Sequence, residues 1–150
     1  MMADRVIAAC GGTVRGKTIG LLGLTFKANT DDMREASSLA IIAALQHAGA
    51  KVRAYDPVGM AAAAALVEDV AFGADPYDAA TGAAALVIVT EWDAFRALDF
   101  GRLRQTMAEP VVVDLRNLLD PREVIGHGFR YAGLGKPVGI AANMVSVAAE

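Results

Sequence analysis

Short continuous apolar runs alternate with segments of helical pattern along this chain, and that alternation limits the folds open to it. Leu86-Val-Ile-Val-Thr90 and Val111-Val-Val-Asp114 are the clearest runs, and Thr18 to Leu24 precedes them. Runs this short and this uniformly apolar read as strands buried on both faces, as in a parallel sheet. Lys51 to Asp56 alternates and closes on Asp56-Pro57, while Phe129 to Tyr131 is a weaker last strand. Helical pattern fills the intervals: 2–9, 36–48, 59–67, 75–84, 100–107, and Asp120-Pro121 to about Gly126. Gly11-Gly12 and Gly49 stand where helices stop, and Asp75-Pro76 supplies an N-cap followed by a favoured first helical residue. Strands alternating with helices call for right-handed crossovers. The expected fold class is therefore α/β: a Rossmann-like three-layer sandwich on a mainly parallel sheet of five to six strands, in the strand order of a Rossmann unit.

With 150 residues and 15.6 kDa the chain is one domain by length, large enough to bury a core. No uncharged apolar stretch reaches the roughly 18 residues of a membrane span. Asp4 and Arg5 interrupt the position where a signal peptide's apolar region would begin. The single cysteine, Cys10, precludes an intramolecular disulfide and fits a reducing, cytoplasmic location. A net charge of −3 and a pI near 5.3 give no general affinity for polyanions, so nucleic acid is not an expected partner.

The segment Gly23-LTFKANTDDMR-Glu35 lies between the first strand and an apolar helix, where open α/β sheets bind ligands. It carries Lys27, Asp31, Asp32, Arg34 and Glu35, far more charge than a loop that merely turns the chain requires. The other strand ends carry Asp56, then Thr90-Glu91-Trp92, then Asp114, Arg116 and Asn117. In a parallel sheet these ends lie along one edge, so Lys27, Arg34 and Arg116 are candidates to converge on an anionic ligand. Arginine suits bidentate phosphate contact, and lysine acts as a point charge. Two readings stay open on spacing alone: the arginines bind a ligand, or they pair with Asp31, Asp32 or Asp114 and only hold loops.

A dinucleotide cradle needs G-x-G-x-x-G at the first turn. Here Gly20-Leu-Leu-Gly23 leads into an acidic loop that would repel phosphates. Asp56 occupies the place of a ribose-binding acid, but the fingerprint is incomplete, so the domain is read as Rossmann-like without being itself the cofactor site. Cys10 precedes the first strand with no histidine near it and is read as a buried or incidental thiol. His47 and His127 fall next to helix-terminating glycines, where capping explains them. No spacing suggests a metal. Trp92 and Phe95 are taken as core.

Three motifs, FKANTDDMRE, TEWDAF (Thr90 to Phe95) and DLRNLLDP (Asp114 to Pro121), resemble the UDP-glucose/GDP-mannose dehydrogenase family. The likeness runs from about Gly16 to Lys136 and leans to the UDP-glucose branch over the GDP-mannose one. It implies the C-terminal domain, which closes over a UDP-sugar, while NAD sits on an N-terminal Rossmann domain. The resemblance further implies two NAD-dependent oxidations of the sugar C6 alcohol, through a cysteine of a preceding domain, and a homo-oligomeric whole enzyme. On the matching positions, Lys27 and Arg116 fall as UDP-sugar contacts and Arg34 as a contact to NAD.

The chain departs from the pattern at Ala28, a frequent proline; at Ala36, a frequent serine; and at Leu115, usually glycine. Neither the cofactor fingerprint nor the catalytic-cysteine segment occurs, so no catalytic residue is assigned and an excised or truncated domain, inactive alone, is expected. The doubled Met1-Met2 start fits an engineered boundary. The expected division is 1–15 as the end of a preceding helix, 16–136 as the UDP-sugar domain and 137–150 as a tail. Alternatives are a stand-alone nucleotide-sugar module without chemistry, a GDP-mannose or UDP-N-acetyl-sugar dehydrogenase domain, and a scaffold using the tail and Trp92 as contact surface.

Overall fold

The computed structural model describes residues 2–34 and 36–133; Glu35 and the expected tail, 137–150, lie outside the described residues. Six strands form one sheet: β1 (Thr18–Leu22), β2 (Lys51–Tyr55), β3 (Val70–Phe72), β4 (Ala85–Ile88), β5 (Val111–Asp114) and β6 (Arg130–Gly133). Their order is β3-β2-β1-β4-β5-β6, and every pair is parallel. This is the order of a Rossmann unit, with the switch point between β1 and β4, as expected from the alternation of patterns. The helices are α1 (Met2–Ala9), α2 (Ser37–His47), α3 (Met60–Ala64), α4 (Pro76–Ala80), α5 (Phe100–Thr106) and α6 (Pro121–Gly126), with a 3₁₀ turn at Asp93–Ala97.

Strand alternation divides the core into two. Ile19, Leu21, Val87 and Val113 face one layer with Val6 and Ala9 of α1 and Ile41, Ile42 and Leu45 of α2. Leu22, Leu86, Ile88 and Val112 face the other with Ala79 of α4, Phe95, Phe100 and Leu103, Val124 of α6, Phe129 and Tyr131. The aromatic residues gather on the second face, where Phe100 and Phe129 meet edge-on at 5.9 Å. Each fully buried Leu, Ile or Phe contributes about 1.5–3 kcal/mol, so this face outweighs its alanine-rich opposite residue for residue. Gly20 lets α4 approach β1: a Cβ there would stand 2.8 Å from the carbonyl oxygen of Ala79.

Several boundaries differ from the sequence reading. The first strand stops at Leu22, because Gly23 turns away at φ +95° with Thr90 packed where a Cβ would be, 2.4 Å off. The alanine-rich stretch yields only Met60–Ala64, and the helix expected over 75–84 ends at Ala80. Asp75 does cap α4, accepting from Asp78 N–H at 2.8 Å, and Asp120 caps α6. Strand β3 was not foreseen. It is an edge strand of three residues, two of them exposed, and has no apolar run to announce it.

Candidate functional site

The edge formed by the strand carboxyl ends is built around Asp56, which is fully buried just past β2. Its Oδ2 accepts from the Leu24 amide at 2.8 Å, the Thr25 amide at 3.2 Å and the Trp92 indole at 3.2 Å. Its Oδ1 accepts from Val58 N–H at 2.9 Å and Gly59 N–H at 2.7 Å. The Thr25 hydroxyl bridges Asp56 and the Lys27 carbonyl, which accepts it at 2.9 Å. Burial alone would push this carboxyl up, yet the amides of Leu24, Val58, Gly59 and Thr25 together hold it below the usual range. Asp56 therefore organises three loops and has no capacity left for a ribose. Thr90 adds a further tie, its hydroxyl donating to the Thr25 carbonyl at 2.8 Å.

Asp114 does the same at the end of β5. Its Oδ2 accepts from the Leu119 amide at 2.8 Å and the Tyr131 hydroxyl at 3.1 Å, and its Oδ1 from the Arg116 amide at 3.2 Å. Burial, with the Asp114 charge adding to it, pushes the Tyr131 hydroxyl far above its ordinary value, so it stays a donor. Asn117 completes the turn at φ +53°. Leu115, where the resemblance has glycine, is buried in the first-face core and takes no left-handed conformation.

On this frame the three cations sit differently. Lys27 is exposed, and among the described residues no carboxylate lies within 4 Å of its ammonium. Arg34 is also exposed and clamps Asp32, with Nη2 to Oδ2 at 2.9 Å and Nε to Oδ1 at 3.0 Å. Its side chain, then its amide, hold the Asp32 carboxyl down at about 2. Arg116 is half-buried, and its Nη2 meets Glu91 Oε1 at 3.1 Å. Asp114, one of the carboxylates considered as its ion-pair partner, takes only its amide. The sequence reading named Glu91 on loop three but missed this pairing, which follows from β4 and β5 being neighbours.

No pyrophosphate cradle accompanies these residues. Gly20 lies inside β1, Gly23 makes a turn filled by Thr90, and α2 begins only at Ser37. The described residues do not fit a dinucleotide phosphate. Trp92 is 7% exposed and locked to Asp56, which removes it as a contact surface. Cys10 lies at the opposite edge, its carbonyl accepting from Lys17 Nζ at 3.1 Å, and burial pushes its thiol up. His127 Nδ1 donates to the Glu123 carbonyl at 2.9 Å. Among the described residues no group of His, Cys, Asp or Glu is placed to hold a metal, and no helix is long and apolar enough to cross a membrane.

Comparison with known proteins agrees with this geometry. Residues 20–121 match the UDP-glucose/GDP-mannose dehydrogenase family, UDP binding domain. The chain is 57% identical over 136 residues to a UDP-glucose 6-dehydrogenase of Rhizobium meliloti, covering 91% of this chain and 31% of that protein. It is 46% identical to one of Pseudomonas aeruginosa, covering 84% of this chain and 29% of that one. The chain thus spans less than a third of the length of these curated relatives. Among solved structures, an NDP-N-acetyl-D-galactosaminuronic acid dehydrogenase from Methanosarcina mazei superposes with a TM-score of 0.77 at 28% identity, over 89% of this chain and 28% of that one. A UDP-glucose dehydrogenase from Pyrobaculum islandicum gives 0.64 at 33% identity, over 75% and 25%.

Proposed function

We propose, from the premise that this chain belongs to the UDP-glucose/GDP-mannose dehydrogenase family, that it is the UDP-sugar-binding part of a UDP-glucose 6-dehydrogenase. Residues 16–136 form the domain, with α1 as the end of a preceding helix seated on the sheet. Arg116 and Lys27 hold the diphosphate, and Arg34 reaches toward NAD carried by another domain of a cytoplasmic, homo-oligomeric enzyme. What supports the reading is the placing of Arg116. Its backbone is fixed by Asp114, and its guanidinium stands at the carboxyl end of β5, on the edge where β1 presents Lys27. UDP-glucose is preferred over other sugar nucleotides because the identities to UDP-glucose 6-dehydrogenases are high across the motif-bearing segment.

The chain supplies cations and shape, not chemistry. Its one thiol is buried at the far edge, and no nucleophile with a neighbouring base lies at the strand ends. In the full-length enzyme NAD would accept the hydride; this domain's part is to bind and orient the nucleotide end of the substrate. Amide spectra of the isotope-labelled chain test the assignment. Added UDP-glucose should move resonances of 24–34, 90–92 and 115–119 together, whereas absent or scattered shifts would overturn it.

A further inference from the structure

We propose that Glu91 is the resident counter-anion of this site, a built-in competitor that occupies Arg116 and is displaced by the anionic part of a nucleotide diphosphate. The inference rests on the reading of Arg116 given above and adds what controls its affinity. Glu91 is fixed at both sides but free at its end. Thr90 is buried and bonded to the Thr25 carbonyl, Trp92 is buried and bonded to Asp56, and the Glu91 side chain between them is 50% exposed. Arg116 is likewise anchored at its backbone and 30% exposed at its side chain. They touch through one nitrogen and one oxygen, at 3.1 Å, from the ends of adjacent strands. The Arg34–Asp32 clamp differs: two residues apart, it is chelated at both carboxylate oxygens and through the Arg34 amide as well. A single contact between partly exposed charges is weak. A diphosphate offering two oxygens to the guanidinium fork outcompetes it. The pair therefore lowers affinity modestly and gives Arg116 a partner to return to, which hastens release of the anion.

Calorimetric titration of UDP into the 150-residue chain tests this, with uridine as the uncharged control. Glu91→Gln should bind UDP about two- to fivefold tighter than wild type at low salt, through slower release. The gain should shrink at high salt, be absent for uridine, and vanish in an Arg116→Ala background. UDP binding to Glu91→Gln that is equal or weaker, or a gain that survives Arg116→Ala, overturns the role of Glu91 alone. Failure of wild type to bind UDP, or wild-type affinity in Arg116→Ala, overturns the reading of the site and the inference with it.

Discussion

The indole N–H of Trp92 donates to Asp56 Oδ2 at 3.2 Å, joining the ends of β4 and β2, the two strands that flank β1. The bond completes a shell of N–H donors around a buried carboxylate. Removing one member should therefore cost far less than removing the centre. Trp92→Phe deletes one charge-assisted bond and should lose about 1.5–3 kcal/mol, besides some packing. Asp56→Ala strands the Leu24, Thr25, Val58 and Gly59 amides and should lose more than about 4 kcal/mol. Urea unfolding of the two variants compares them. Similar small losses would show that Asp56 is not the organising centre.

Acid should unfold the chain partly through this residue. The folded-state value of Asp56 lies below the ordinary aspartate value. Its contribution is thus complete well above that value, about 3.9, and is lost as pH falls through the lowered folded value. Wild type should lose stability steadily below about pH 5, and Asp56→Asn, destabilised at neutral pH, should show a flatter acid limb. Parallel pH profiles for the two would contradict the assignment.

The helix α2 starts without a side-chain cap, since its N-cap position is Ala36, at ψ 122°. Ala36→Ser, the residue frequent there in the family, would let a hydroxyl accept from a first-turn amide. It should stabilise the chain by about 0.5–2 kcal/mol if the buried site admits one oxygen. Thermal unfolding reads this directly, and a lower midpoint would mean that the packing around Ala36 rejects the oxygen.

Purified chain should produce no NADH from NAD and UDP-glucose, since it carries no positioned nucleophile and no dinucleotide cradle. Within a full-length enzyme, Arg34→Ala should raise the Michaelis constant for NAD more than that for UDP-glucose. Steady-state kinetics separate the two, and an unchanged NAD constant would leave Arg34 as no more than the clamp on Asp32.

Much of the fold was legible because its signals are local. Val111-Val-Val-Asp114 needs burial on both faces wherever it sits, and Asp75-Pro76 and Asp120-Pro121 carry their caps in two residues. The lost boundaries have local causes too. Alanine favours helix at every position and so cannot mark where 59–67 or 75–84 ends, and β3 buries too little to show a pattern. The cations of the site were legible because strand ends can be counted. Their partners were not, because Glu91 and Arg116 are 25 residues apart and meet only through the lateral order of β4 and β5. Asp56 was read by analogy of position as a ribose-binding acid, when its five N–H donors come from loops that only the folded sheet brings together.

Arg116 is where the site stands or falls. Two charge-assisted oxygens lost from a guanidinium correspond to about 1.5–3 kcal/mol, or roughly a 10- to 150-fold weaker complex. Calorimetric titration of UDP into wild-type chain and into Arg116→Ala, both shown to be folded, should give dissociation constants separated by that factor, with Arg116→Lys in between. Equal constants for wild type and Arg116→Ala would mean that the guanidinium serves only its pair with Glu91, and that the anion binds elsewhere.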